Sequence, residues 1–239
     1  KNTFQILTVE WEVLLMLLDG KENLMRTGTT DLSDLYDTLS GLERLRLSDF
    51  DPSRTALVVV DMINGFVKEG PLASPNALSI QDGIERLLRA CTERGIPCIF
   101  FADTHTAESP EFGAYPVHCL AGDPQSLPTS ELANAGGFTL IAKNSTNGFL
   151  EPAFAAWLAE HPAISDFLVV GCCTDICVQQ FALTLKTDFN RRNRTSRVIV
   201  PMALSSTYDA PGHRSAFIDA VSFYNMHTNG VEVTPDIEF

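Results

Sequence analysis

Basic residues are scarce in this chain: 17 lysines and arginines stand against 30 aspartates and glutamates, a formal net charge of −13. That imbalance excludes nucleic acid and anionic membrane surfaces as partners, because both would repel it, and leaves small uncharged or cationic ligands. Long hydrophobic runs are missing too. The most apolar N-terminal stretch, "ILTVEWEVLLMLL" (6–18), contains Glu10 and Glu12 and has no basic leader, so neither a signal peptide nor a membrane anchor is expected. Six cysteines are far too few for a disulfide scaffold, and none form a C-x2-C pair, which argues against a structural zinc site. A soluble cytoplasmic protein with reduced thiols is the expectation. Internal repeats and low-complexity tracts are likewise absent.

Proline does not occur in residues 1–50. There "TTDLSDLYDTLSGLERLRL" (29–47) places Leu32, Leu35, Tyr36, Leu39, Leu42 and Leu45 at helical spacing, which predicts a mainly helical N-terminal extension over 1–50. Such an extension would cover a sheet edge or join a homo-oligomer interface. "SDFDPSR" (48–54) then leads into a main domain over 51–239, Pro52 breaking any helix.

From there, short β-branched runs alternate with longer amphipathic ones. Strands are predicted at 55–61, 96–103, 138–143, 166–171, 196–201 and 230–234, with helices at 79–95, 151–161, 175–189 and 210–227. Strands that are apolar throughout, each followed by a helix, imply a three-layer α/β/α fold around a mostly parallel, Rossmann-like sheet of about six strands.

Ligands of such sheets bind beyond the carboxyl ends of the strands. The first strand ends in Asp61, the second in Asp103 followed by His105, the third in Lys143, and the fourth runs into Cys172, Cys173 and Cys177. Taken singly, each aspartate reads more readily as a turn former or helix cap. Four strands delivering ionisable or nucleophilic groups to one rim is a different matter. Cys172 and Cys173 follow the strand directly and suit packing and backbone shape. Cys177 falls in the first helical turn, where unpaired N–H groups favour thiolate, and is the best nucleophile candidate. The segment 102–123 gathers Asp103, His105, Glu111 and His118, a set that spacing alone leaves open between ordinary loop polarity and a divalent metal with open positions. His161, His213 and His227 read as caps or surface residues.

Four motifs in order, "VVVDMINGF" (58–66), "DTHTAESPEFGAYPVHCLAGD" (103–123), "LIAKNSTNGF" (140–149) and "VVGCCTDICV" (169–178), resemble those of the isochorismatase-like cysteine hydrolases, and among these the nicotinamidases. The resemblance implies a catalytic triad of Asp61, Lys143 and Cys177, with the thiolate of Cys177 forming a thioester and Asp61 relaying its proton. It implies a cis peptide at Cys172–Cys173 and an oxyanion hole from the backbone N–H groups of Cys173 and Cys177. Asp103, His105, Glu111 and His118 would bind a divalent metal, zinc or alternatively iron or manganese, which holds the pyridine nitrogen. Phe66 and Tyr115 would wall the ring. The implied reaction is hydrolysis of nicotinamide to nicotinate and ammonia in NAD salvage, with pyrazinamide also fitting. Rival readings are a metal-free amidase acting on a carbamoyl or ureido compound, a vinyl-ether hydrolase, or a catalytically silent binding module.

Overall fold

Val, Ile and Phe crowd the short apolar runs of the chain, and burial on both faces makes strands of them. The computed structural model describes residues 20–239; the apolar stretch at 6–18 lies outside the described residues. Helix α1 (Gly20–Ser40) precedes strands β1 (Leu45–Arg46) and β2 (Thr55–Val60), then helices α2 (Asn64–Val67) and α3 (Pro75–Glu93). Strand β3 (Cys98–Asp103), helix α4 (Ser130–Ala135), strand β4 (Phe138–Lys143), helix α5 (Pro152–Glu160) and strand β5 (Asp166–Gly171) follow. A π-helical turn (Thr174–Val178) runs into α6 (Gln179–Arg191), before β6 (Arg197–Pro201), α7 (Ser215–Thr228), β7 (Glu232–Thr234) and β8 (Ile237–Glu238).

Six strands form one sheet in the order β4-β3-β2-β5-β6-β7, every neighbouring pair parallel. From β2 the chain builds outward through β3 to β4, then crosses to build β5, β6 and β7 on the other side. The order therefore reverses between β2 and β5, and the crevice beyond their carboxyl ends is the place where such sheets bind ligands.

Alternation along the strands feeds two cores. Leu57, Val59, Phe100, Leu168 and Val170 pack with Ile84, Leu87 and Leu88 of α3, whereas Phe101 meets Phe154 of α5 and Phe181 of α6 at ring separations of 5.5 and 5.2 Å. Each such side chain, fully buried, contributes about 1.5–3 kcal/mol. Helix α3 starts where the Ser74 hydroxyl accepts the N–H of Asn76 and Pro75 occupies the first turn, a placement in which proline loses no helical hydrogen bond. Strand β4 departs from the expectation of full coverage: it is an edge strand, and Leu140 is 49% exposed.

The chain divides into two units, residues 1–41 and 42–239. In α1 of the first, Leu35 and Leu39 are buried while Leu24, Met25 and Tyr36 are exposed. The break expected at residue 50 thus falls at residue 41, and the helix expected to reach Leu45 stops at Ser40. Leu45 and Arg46 instead pair in parallel with Ile237 and Glu238, and Leu47 and Phe50 enter the core of the second unit. Tertiary pairing has overridden a local helical period.

At the end of β5, Gly171 has a φ of +123°, and a Cβ built there would lie 2.0 Å from the carbonyl oxygen of Val60. No side chain fits that approach of β5 to β2. Gly171→Ala is expected to cost more than about 2 kcal/mol, read as a lower urea midpoint; an unchanged midpoint would refute the close approach.

Candidate active site

Parallel register sets the first pair of groups side by side: Asp103 and Lys143 are partners at the ends of β3 and β4. One residue past β2, Asp61 has a φ of +55°, a conformation unusual for a residue with a side chain. Its own N–H reaches the carbonyl of Phe101 at 3.0 Å, and its Oδ1 accepts the N–H of Asp103 at 3.0 Å. Lys143 Nζ then lies 2.8 Å from Asp61 Oδ2, in a close ion pair with Asp103 Oδ1, and 3.7 Å from Cys177 Sγ. Asp61, Asp103 and Lys143 are each at most 1% exposed. Cys172 and Cys173 are joined by a cis peptide, after which the π-helical turn carries Cys177 into the group.

Charge is distributed unevenly here. Burial works against the Lys143 cation, but Asp103, Asp61 and Cys177 together hold its pKa well above the ordinary lysine value. Burial likewise opposes the charge of Asp103, yet Lys143 and the nearby imidazoles of His105 and His118 keep its carboxyl well below the usual range. Asp61 goes the other way: burial, only partly offset by Lys143 and reinforced by Asp103, raises it to about 7. For Cys177, burial pushes the thiol well above its ordinary value, Lys143 opposes this, and Asp61 and Asp103 add to it. Burial and two neighbouring carboxylates thus oppose the thiolate that a helical first turn favours.

Beside this group the loop after β3 folds back on itself. The N–H of His105 reaches the carbonyl of Cys119 and the N–H of Ala121 reaches that of His105, both at 2.8 Å, and this clasp returns His118 to His105. His105 Nε2 lies 3.5 Å from Asp103 Oδ2 and 3.6 Å from Glu111 Oε1, and His118 Nε2 lies 3.6 Å from Asp103 Oδ2. The ligand atoms of all four residues fall within 4.8 Å of one another.

Whether these residues suit a metal can be judged from their outer partners. His105 Nδ1 faces Asn144 Oδ1 at 3.3 Å and His118 Nδ1 faces the Pro116 carbonyl at 2.7 Å. With Nδ1–H donating in both rings, each Nε2 presents a lone pair inward. His105 Nε2 is buried and has no hydrogen-bond partner among the described residues. Two lone pairs and two carboxylates converging in a buried spot fit a divalent cation of the zinc class. Asp103 serves both groups, one oxygen toward Lys143 and the other toward the imidazoles.

A cavity of about 660 Å³ opens onto these residues, with Phe66, Tyr115, Ile176 and Cys177 among its walls. Phe66 and Tyr115 both lie against His118, at 5.6 and 6.3 Å between ring centres. Sequence reasoning missed Asn144, although it sits inside a quoted motif, and Phe112, whose edge packs on both imidazoles. It also missed Tyr208 and Asp209 on the far wall, which no local pattern marks.

A family model described as the isochorismatase domain matches residues 55–228. "Nicotinamidase 1" of Arabidopsis thaliana is 29% identical over 216 residues, covering 78% of this chain and 88% of that protein. Among solved structures, N-carbamoylsarcosine amidase from Thermoplasma acidophilum superposes with a TM-score of 0.62 at 25% identity, covering 76% of this chain and 95% of the other. The pyrazinamidase of Pyrococcus horikoshii in complex with zinc gives 0.62 at 21% identity, with 78% and 99% covered. Among the described residues no helix is long and apolar enough to cross a membrane.

Proposed function

The chain belongs to the isochorismatase domain family, and within it we propose a metal-dependent cysteine amidohydrolase that converts nicotinamide to nicotinate and ammonia. The observation that carries this reading is the pair of groups joined through Asp103: a buried Asp61–Lys143–Cys177 cluster and, sharing one carboxylate with it, a four-residue cation site. The likeness to a plant nicotinamidase supports the same substrate.

In this mechanism Asp61 takes the thiol proton as Cys177 Sγ attacks the carboxamide carbon, a task suited to a carboxylate raised to about 7. Lys143 fixes Asp61 and offsets the charge that the proton transfer moves. Backbone N–H groups of Cys173 and Cys177 receive the developing oxyanion. Asp61 hands its proton to the departing ammonia, leaving a thioester. Water, deprotonated by Asp61, then attacks the acyl carbon; the C–S bond breaks, Asp61 returns its proton to Cys177 Sγ, and the acid leaves and ionises to the carboxylate. A divalent cation held by Asp103, His105, Glu111 and His118, zinc by the chemistry of the donor set, supplies when bound a Lewis-acidic anchor for the ring nitrogen. Phe66 and Tyr115 flank the ring, as befits a neutral aromatic amide, and pyrazinamide would fit equally. Such a reaction belongs to NAD salvage, and six free cysteines suit the reducing cytoplasm.

Ammonia release from nicotinamide tests the reading. Metal-loaded protein is expected to turn over, a chelator to remove at least about nine-tenths of the rate, and zinc to restore it, with one ion per chain by elemental analysis. Turnover of a carbamoyl amide instead, unaffected by chelation, would assign the protein to the other amidase class.

A further inference from the structure

The mechanism leaves unused a second network, centred on Asp175, two residues before Cys177. Asp175 Oδ1 accepts the Thr207 hydroxyl at 2.6 Å, and its Oδ2 lies 3.0 Å from His213 Nε2. On the other side of the same ring, His213 Nδ1 lies 2.9 Å from the carbonyl oxygen of Tyr208. Both oxygens can only accept. A neutral imidazole has one N–H and would leave one nitrogen's lone pair facing an oxygen, whereas an imidazolium satisfies both. The ring also lies flat on the Tyr208 phenol, with centres 4.0 Å apart and planes 6° apart, an arrangement that favours a cation. His213, expected from sequence to be a cap or a surface group, has a side chain only 19% exposed.

What this network holds is the wall of the cavity. Tyr208, Asp209 and Ala210 line it, and their loop is tied at its other flank by Asn76 of α3, whose Nδ2 donates to the Thr207 carbonyl at 2.9 Å and to Asp209 Oδ2 at 3.0 Å. Around His213 the facing groups are Asp175 from the nucleophile turn and Tyr208 from its own loop. Asp219 of α7, whose Oδ2 accepts the Ser206 hydroxyl at 3.4 Å, feels the charge of Asp175. Asp209 is engaged by the N–H and hydroxyl of Ser215, and Arg214 is the neighbouring cation in sequence.

We propose that His213, held as an imidazolium, is a positioning residue that ties the Tyr208 wall of the substrate cavity to the turn carrying Cys177 and thereby sets affinity for the aromatic ring. This rests on the amidase reading for its kinetic consequence, but the protonation state can be read without substrate. In the metal-loaded protein labelled with 15N-histidine, both ring nitrogens of His213 are expected in the protonated region at neutral pH, assigned by their loss in His213→Gln. Asp175→Asn is expected to return the ring to a neutral tautomer. A neutral His213 in the wild-type protein would overturn the proposal whether or not nicotinamide is turned over.

Kinetics give the second readout. His213→Gln is expected to raise KM for nicotinamide about tenfold, equivalent to ~1.4 kcal/mol, with kcat changed less than about threefold. Tyr208→Ala, which removes the stack, should raise KM likewise. Thr207→Val, which removes a single donor, is the milder variant if His213→Gln fails to fold, with KM up about threefold. An unchanged KM in these variants, or a fall in kcat alone, would sink the positioning role. Absence of nicotinamide turnover by the wild-type protein would count against the amidase reading only.

Discussion

Cys177→Ala is expected to lower hydrolysis of nicotinamide by a factor on the order of 10⁵ while leaving the melting temperature nearly unchanged. Loss of a nucleophile removes the whole covalent route, and enzymes that lose theirs keep only the residual catalysis of binding and oxyanion donors. Stability should survive, because the side chain removed is small and Cys177→Ala leaves the Asp61–Lys143–Asp103 ion pairs in place. Rapid quenching of the wild-type reaction should trap an acyl adduct by mass, reactive with hydroxylamine and absent from the variant. A variant retaining more than about a hundredth of the rate would mean that Cys177 is not the nucleophile.

Lys143→Met acts on stability as well as on rate. The substitution strips the cation from between Asp61 and Asp103, two carboxylates that are 0% and 1% exposed. Removing one partner of a buried ion pair costs about 3–5 kcal/mol, which for a unit of this size lowers the melting temperature by roughly 6–20 °C. Adding Asp61→Asn to Lys143→Met should recover part of that loss, because it removes one of the stranded charges, while activity stays absent. Melting of the three proteins by circular dichroism, with and without chelator, reads the effect. A single variant as stable as the parent would show that Lys143 does not hold the two carboxylates together.

Much of the sheet was legible because buried parallel strands leave uninterrupted apolar runs. Strands 138–143 and 166–171 were expected at the bounds the structure gives. The gathering of polar residues at one rim was legible for a related reason: strand ends are countable, and Asp61, Asp103 and Lys143 stand at three of them. Properties that depend on neighbours from elsewhere in the chain were not. The burial of Cys177 and the carboxylates beside it, at the ends of β2 and β3, are announced by no feature of 168–186. Asp175 and His213 are 38 residues apart, with no local periodicity to pair them. The true end of α1 was hidden in the same way, since β8, the partner that takes Leu45, lies at the far end of the unit.

That strand order has a consequence for vectorial synthesis. As the chain leaves the ribosome, β2, β3 and β4 emerge in succession and are already neighbours, so half of the sheet can assemble from what is available. Asp61, Asp103, His105, Glu111, His118 and Lys143 all belong to that half. Cys177 arrives only with β5 and the turn after it, and β1 waits for β8, the last strand of the series. A nascent chain thus holds all six of these side chains before Cys177 has emerged, and pairs β1 with β8 last.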